Sequence, residues 1–123
     1  MRTTVWLALA AVVVVGGLVL ARSMQDRGAP AAITEITVEG TEYAFDPEEI
    51  TVNRGDTVKI VFRNTGTIEH DWSIPDWDVG TAVVAPGQEA TLEFQARRAG
   101  SIQFVCTVPG HRELGMVGTL QVR

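Results

Sequence analysis

Short runs of apolar residues, separated by turn residues, dominate the chain from residue 36 onward. No helical period accompanies these runs, and apolar residues alternate with polar ones within most of them. The pattern predicts strands at 36–45, 50–53, 57–64, 70–74, 90–96, 101–106 and 116–122. Turn residues lie between the runs, for example Asn53-Arg54-Gly55-Asp56 and Pro86-Gly87. Many short strands joined by turns bury their apolar faces by packing one sheet on another, so we predict an all-β, antiparallel β-sandwich.

The alternation also predicts which side chains face the interior, because residues two apart lie on the same face of a strand. Four sets are assigned to the interior: Val58, Ile60 and Phe62; Ile102, Phe104 and Cys106; His70, Trp72 and Ile74; and Met116, Leu120 and Val122. We expect Trp77 to pack against the same core. A cysteine, a histidine and a methionine therefore share faces with core residues.

The N-terminus carries an uncharged run of nineteen residues, Thr3 to Ala21, rich in Val, Leu and Ala. As a helix the run would be about 28 Å long, close to the thickness of the bilayer hydrocarbon. We expect a membrane anchor or a cleaved secretory signal at 1–22, a linker at 23–34 and a folded domain at 35–123. With either kind of N-terminal segment, the domain would lie outside the cytoplasm, periplasmic or secreted if the segment is removed.

Charge argues against a nucleic-acid partner. The first 31 residues hold three arginines and one aspartate, which leaves seven basic against fourteen acidic side chains in the remainder. Nothing in such a domain would offset repulsion by phosphates. Six acids precede its first base, Arg54; they are Glu35, Glu39, Glu42, Asp46, Glu48 and Glu49. We interpret these acids as a solvated sheet face, with a docking patch for a basic partner as the alternative.

Residues 106 to 116 contain three side chains that can bind a metal ion. They are Cys106, His111 and Met116, in the spacing C-x4-H-x4-M. Together with His70 they use the only cysteine, both histidines and the only methionine of the domain. Each residue alone also has a structural explanation, such as core packing. Together, a thiolate, two imidazoles and a thioether are the ligands of blue-copper sites. Zinc favours sets without a thioether, and one cysteine excludes disulfides and multi-cysteine centres.

Over residues 35–123 the chain resembles a cupredoxin of the plastocyanin/azurin type, a small blue copper protein. The resemblance runs through Phe45-Asp46-Pro47, Gly55-Asp56-Thr57-Val58, Pro86-Gly87 and, most specifically, the loop that ends in Gly115-Met116-Val117-Gly118. It implies a Greek-key β-sandwich with one copper ion near one end. It also implies that His70, Cys106 and His111 are the equatorial copper ligands and that Met116 is the weak axial ligand.

The resemblance implies a mononuclear type 1 copper electron carrier that cycles between Cu(I) and Cu(II). Its partners would be a redox donor and acceptor such as a cytochrome or a membrane oxidoreductase, and we expect a monomer. We expect no enzymatic turnover and no organic substrate, because a nitrite-reducing site would need further histidines. The alternatives are an extracytoplasmic copper storage or delivery protein and a redox-inert sandwich used for adhesion or assembly.

Asp71 departs from the family pattern, in which asparagine often follows the upstream histidine. We expect its carboxylate to accept a hydrogen bond from Thr107, next to Cys106, and so to tie two ligand-bearing loops together. The backbone N–H groups of Asp71 and Val108 are candidates to donate to the cysteine sulfur.

His111 is the expected electron port, since it lies on a loop beside Pro109, Gly110 and Leu114 that would form a small apolar docking rim. Three arginines flank this region in sequence; they are Arg97, Arg98 and Arg112. They would select an acidic partner surface or serve ordinary solubility.

Overall fold

The computed structural model describes residues 32–123, which form two packed β-sheets and one short 3-10 helix, Pro75–Trp77. The strands are β1 (Ile33–Thr41), β2 (Ala44–Asp46), β3 (Glu49–Val52), β4 (Thr57–Asn64), β5 (Ser73–Ile74), β6 (Val79–Gly80), β7 (Glu89–Gln95), β8 (Gly100–Val105) and β9 (Val117–Val122). Within residues 32–123, no helix has the length and apolar character needed to cross a bilayer. The expected anchor or signal at 1–22 lies outside the described residues, and the division into three segments stays a prediction.

The two sheets confirm the predicted all-β sandwich. One sheet has the strand order β2-β1-β4-β7 and the other β3-β9-β8-β5-β6. Strands that follow each other in sequence often lie in different sheets, as β3 and β4 do. The chain therefore crosses repeatedly between the layers, and the segments between the sheets meet at the ends of the sandwich.

The prediction of an antiparallel sandwich is wrong for two strand pairs. Strand β1 runs parallel to β4 over eight residue pairs, from Ile33–Thr57 to Gly40–Asn64, and β3 runs parallel to β9. Turn residues reveal only the strands that a tight turn connects. The parallel neighbours are joined through the other sheet, so no local signal in the sequence marks them.

Two predicted strands differ from the observed ones by more than one residue at an end, and β1 begins at Ile33, two residues before the predicted start of the domain. The run 36–45 is two strands, because Glu42 and Tyr43 reverse the chain and place Thr41 opposite Ala44. This turn contains no Gly, Pro, Asn or Asp, so the usual turn signal is missing. In the run 70–74 only Ser73–Ile74 is a strand, while His70 forms an isolated antiparallel bridge with Val84.

The core confirms the four predicted interior sets, whose twelve members are all buried. Trp77 is also buried, as expected. Trp72 lies between Phe94 and Phe104, with ring centroids 6.0 and 5.0 Å away. Large side chains such as these contribute about 1.5–3 kcal/mol each when fully buried. This aromatic packing directly supports β8, the strand that leads into Cys106.

Candidate metal centre

The segment between β8 and β9 presents three of the predicted site residues. The Cys106 N–H donates to the Met116 carbonyl at 3.1 Å, and the Met116 N–H donates to the His111 carbonyl at 3.1 Å. Gly110 and Gly115 adopt φ values of 86° and 99°, which side-chain-bearing residues rarely reach. The two glycines let the loop fold back on itself, so Cys106, His111 and Met116 are linked by backbone hydrogen bonds.

His70 reaches the same place from the segment after β4. Its backbone exchanges two hydrogen bonds with Val84, at 3.1 and 2.8 Å. The Asn64 side-chain amide donates to the carbonyls of Ile68 and Val84, at 2.7 and 2.8 Å, and so holds the segment on both sides. The imidazole of His70 is fully buried.

The ligand atoms of His70, Cys106 and His111 converge in the interior. The two Nδ1 atoms lie 3.2 Å apart, and the Cys106 Sγ lies 3.4 Å from the His111 Nδ1 and 3.9 Å from the His70 Nδ1. All three residues are buried, and their ligand atoms lie within 4.8 Å of one another. The structure thus brings together residues that are 36 positions apart in sequence.

This convergence fits one copper ion. Metal–nitrogen bonds of about 2.0 Å and metal–sulfur bonds of about 2.3 Å in a trigonal set place the ligand atoms about 3.5 Å apart. The observed separations of 3.2 to 3.9 Å bracket that value. A thiolate with two imidazoles is also the trigonal donor set of blue-copper sites. Met116 is fully buried beside this set, so a soft thioether is available in the same region.

Asp71 and Thr107 form the predicted link between the two ligand-bearing segments. The Thr107 N–H donates to Asp71 Oδ1 at 2.6 Å, and the Thr107 hydroxyl donates to Asp71 Oδ2. Asp71 is buried, so these hydrogen bonds replace the water that its carboxylate gives up. The link confirms that an aspartate can fill the role often taken by asparagine.

Burial raises the pKa of the Cys106 thiol above its ordinary value. The backbone N–H groups of Asp71 and Val108 act in the opposite direction and lower the pKa by donating to the sulfur, as predicted. The negative charge of Asp71 raises it again. The sulfur therefore lies in a dry site in which two N–H groups stabilise the thiolate form.

Glu42 is a site residue that sequence reasoning missed. Its Oε1 accepts hydrogen bonds from the Thr67 N–H at 2.8 Å, the Ile68 N–H at 3.1 Å and the His70 Nε2 at 3.0 Å. The Thr67 N–H, followed by the His70 ring, lowers the pKa of this carboxyl group from 4.5 to about 2. Glu42 is exposed, as expected of a solvated acid, but it also holds the His70 ring through these contacts. No spacing signal marks it, since it lies 28 residues from His70.

His111 is the most exposed of the four predicted metal ligands. It is 8% exposed, whereas His70, Cys106 and Met116 are each 0% exposed. The ring of Tyr43 contacts its ring edge-on, with centroids 5.1 Å apart. Leu114 on the same loop is 60% exposed, and Ile68 before His70 is 38% exposed.

Only one of the three arginines, Arg112, lies on the loop of His111. Arg97 and Arg98 precede β8, so the structure places them at the end of that strand away from Cys106. Arg112 donates to the Gln103 side chain at 3.1 Å and Arg97 to the Trp77 carbonyl at 3.4 Å. Arg98 lies 3.9 Å from Asp76, and both side chains are largely exposed. Pairs of this kind contribute little to stability. The expectation that Arg97 and Arg98 flank the port is wrong, whereas a role of Arg112 in partner selection stays a prediction.

Comparisons with a family model, with curated relatives and with solved structures all find cupredoxins or other copper proteins. The model of the cupredoxin-like domain family matches residues 8–120. The copper-resistant cuproprotein CopI of Rubrivivax gelatinosus is 38% identical over 77% of this chain and 69% of its own length. A plastocyanin of Synechococcus sp. is 30% identical over 89% of this chain and 85% of its own. The solved structure of auracyanin A, a "blue" copper protein of Chloroflexus aurantiacus, aligns with a TM-score of 0.68 and 27% identity over 75% of this chain and all of that one.

Proposed function

Because the chain belongs to the cupredoxin-like domain family and its cofactor is one copper ion, we propose that this protein is a mononuclear type 1 copper electron carrier. His70, Cys106 and His111 would be the equatorial ligands and Met116 the weak axial ligand. One observation carries the proposal: two Nδ1 atoms and one Sγ converge to 3.2–3.9 Å in a buried site. Such a set suits both oxidation states of copper.

The surrounding residues would keep the ligands still during electron transfer. When bound, copper supplies the one-electron couple between Cu(I) and Cu(II). Asp71 and Thr107 hold the two ligand-bearing segments together, and Asn64 holds the segment before His70. A site whose ligands are fixed by such contacts moves little when its charge changes, which keeps the cost of reorganisation low.

His111 would provide the route for the electron, because it is the one proposed equatorial ligand with an exposed edge. The exposed side chains of Leu114 and Ile68 would make a small apolar contact with a redox partner. A small contact area suits brief encounters, in which the partner must dissociate quickly. We infer a protein donor and acceptor and no organic substrate.

We also propose that the protein is not an enzyme. Both histidines of the chain lie in the one site. A second, catalytic copper with imidazole ligands would therefore have no ligands within this chain.

We infer a location outside the cytoplasm, because the uncharged run Thr3 to Ala21 has the length of an anchor or a secretory signal. A retained anchor would hold the domain at the membrane surface. A removed signal would leave a periplasmic or secreted carrier.

Copper resistance is a second candidate function, since a CopI relative described as a copper-resistant cuproprotein is 38% identical. In that role the protein would store or deliver copper outside the cytoplasm without relaying electrons. The buried site favours the carrier, because a delivery protein must open to release its ion.

The first test is the colour of the copper-loaded protein. We expect the full chain, in mild detergent, to develop an intense visible absorption from thiolate to Cu(II) charge transfer when one equivalent of Cu(II) is added. Cys106→Ser should abolish the band, whereas Met116→Leu, which changes only the weak axial position, should keep it. No band in the wild type, or its survival in Cys106→Ser, would contradict the proposal.

The second measurement separates a carrier from a store. Electron self-exchange can be measured from NMR line widths in mixtures of the reduced and oxidised protein. Fast exchange with unchanged chemical shifts away from the site supports the carrier. Slow exchange with widespread structural change on reduction supports storage or delivery.

A further inference from the structure

Glu42 holds the outer face of His70 from an unrelated part of the chain. It lies in the two-residue turn between β1 and β2, and one carboxylate oxygen accepts from Thr67, Ile68 and His70. Two of the three donors are backbone N–H groups. The carboxylate is thus held in place by the backbone whether or not the imidazole is present.

This contact decides which nitrogen of His70 carries the proton. An ionised carboxylate only accepts hydrogen bonds, so the Nε2 facing it must be the protonated nitrogen. In a neutral imidazole the lone pair is then on Nδ1, the atom that faces the Cys106 Sγ and the His111 Nδ1. The opposite tautomer would place a proton inside the ligand cluster and leave two acceptors facing each other at 3.0 Å.

Gly66 makes the close approach of the carboxylate possible. A Cβ atom at this position would lie 2.2 Å from Glu42 Oε1 and 2.9 Å from its Cδ. Any side chain at residue 66 would therefore displace the carboxylate. A substitution at Gly66 would therefore move the Glu42 carboxylate without changing its charge.

We propose that Glu42 is a positioning residue for the copper site, which fixes the Nε2–H tautomer of His70 and makes its Nδ1 a stronger donor to Cu(II) than to Cu(I). The inference rests on the proposed copper-carrier function. A carboxylate that accepts from the far nitrogen of a metal-binding imidazole orients the ring and raises its basicity. The more highly charged Cu(II) gains more from this than Cu(I), so Glu42 lowers the reduction potential.

The main variant is Glu42→Gln, which keeps the acceptor oxygen and removes the charge. Loss of such an outer contact typically costs 10–100-fold in metal affinity. We expect about a tenfold loss of Cu(II) affinity relative to Cu(I), which raises the potential by about 59 mV for a one-electron couple. Gly66→Ala should raise the potential in the same direction with the charge unchanged. The matched control is Glu69→Gln, which removes the exposed acid next to His70 and should shift the potential much less.

A second readout needs no copper. The ¹⁵N shifts of the His70 ring in the metal-free full chain report which nitrogen is protonated. We expect Nε2–H alone in the wild type and in Glu42→Gln, and a mixture of tautomers in Glu42→Ala. A purely structural role would leave the tautomer and the potential unchanged while altering only stability.

The outcomes separate the two proposals. A neutral His70 ring that carries its proton on Nδ1 in the metal-free wild type overturns the inference, as does a Glu42→Gln potential that shifts no more than that of Glu69→Gln. If the wild type forms no blue site, the carrier function fails, and the tautomer measurement still decides the role of Glu42 at His70.

Discussion

Gly118 lies on β9 at a point where a side chain has no room. A Cβ atom there would be 2.2 Å from Cε2 and Cζ of Phe104 and 2.6 Å from the Glu48 carbonyl oxygen. Phe104 is fully buried under Trp72, so its ring cannot move aside freely. The glycine thus lets β9 approach the aromatic core two residues after Met116.

Gly118→Ala should therefore destabilise the fold. Overpacking of a tight core costs typically about 1–3 kcal/mol, which we expect as a loss of unfolding free energy in urea titrations of the metal-free protein. Thr119→Ala, the neighbouring change on the opposite face of the strand, should cost less. Equal losses in the two variants would mean that the contact with Phe104 relaxes without cost.

The carboxylates of Glu42 and Asp71 lie next to the site but are not among the proposed metal ligands. One accepts from the His70 ring, and the other accepts twice from Thr107. Both carry negative charge close to the converging ligand atoms. Negative charge at this distance favours the higher oxidation state of a bound ion.

The link between Asp71 and Thr107 acts at the scale of elements, because it joins the segment before β5 to the loop after β8. Two hydrogen bonds from one residue hold the loops together, one from the backbone and one from the hydroxyl. The neighbouring Ser73 hydroxyl lies 3.5 Å from the same carboxylate. The loop after β8 is thus anchored immediately after Cys106.

Thr107→Val should weaken this link while keeping its backbone half. Hydrogen bonds to charged groups contribute about 1.5–3 kcal/mol, and we expect a loss in that range, measured by urea unfolding of the metal-free protein. A double-mutant cycle with Asp71→Asn should show that the two losses are not additive. Thr91→Val on the exposed face of β7 is the matched control and should change stability by less than about 0.5 kcal/mol. Additive losses would mean that the two side chains act independently.

At the scale of the whole molecule, the proposed ligands come from two distant parts of the chain. His70 follows β4 of one sheet, whereas Cys106, His111 and Met116 follow or precede strands of the other. A bound ion would connect these parts. The core beneath consists of buried apolar side chains from both sheets, whose packing does not involve the ion.

Removing copper should therefore lower the melting temperature without unfolding the sheets. At free copper a thousandfold above Kd, binding stabilises the native state by about 4 kcal/mol. For a domain of this size that corresponds to a shift of roughly 15–30 °C. Calorimetry of loaded and chelator-treated protein measures the shift, and far-UV circular dichroism at 25 °C should be the same for both. Loss of the β spectrum on chelation would contradict a core that is stable without the ion.

Much of the fold and site could be predicted because their signals are local. Alternation within β4 and β8 predicted the buried faces of Ile60 and Phe104, and the spacing of Cys106, His111 and Met116 indicated a single metal-binding loop. The turn at Glu42 and Tyr43 was not predicted, because its residues are not ones that favour turns. The parallel pairing of β1 with β4 was not predicted either, because the chain between these two strands passes through the other sheet.

The sequence by itself determined the β-sandwich class, the interior faces of the strands and the candidate donor set for copper, since these depend on residue type and on periods of a few residues. Only the tertiary structure decided that His70 meets Cys106, that Asp71 accepts twice from Thr107 and that Glu42 holds the far nitrogen of His70. Contacts across 28 to 36 residues depend on how the sheets pack and on where the loops cross. The sequence pattern does not predict which distant residues come into contact, because the packing of the sheets and loops determines these distances.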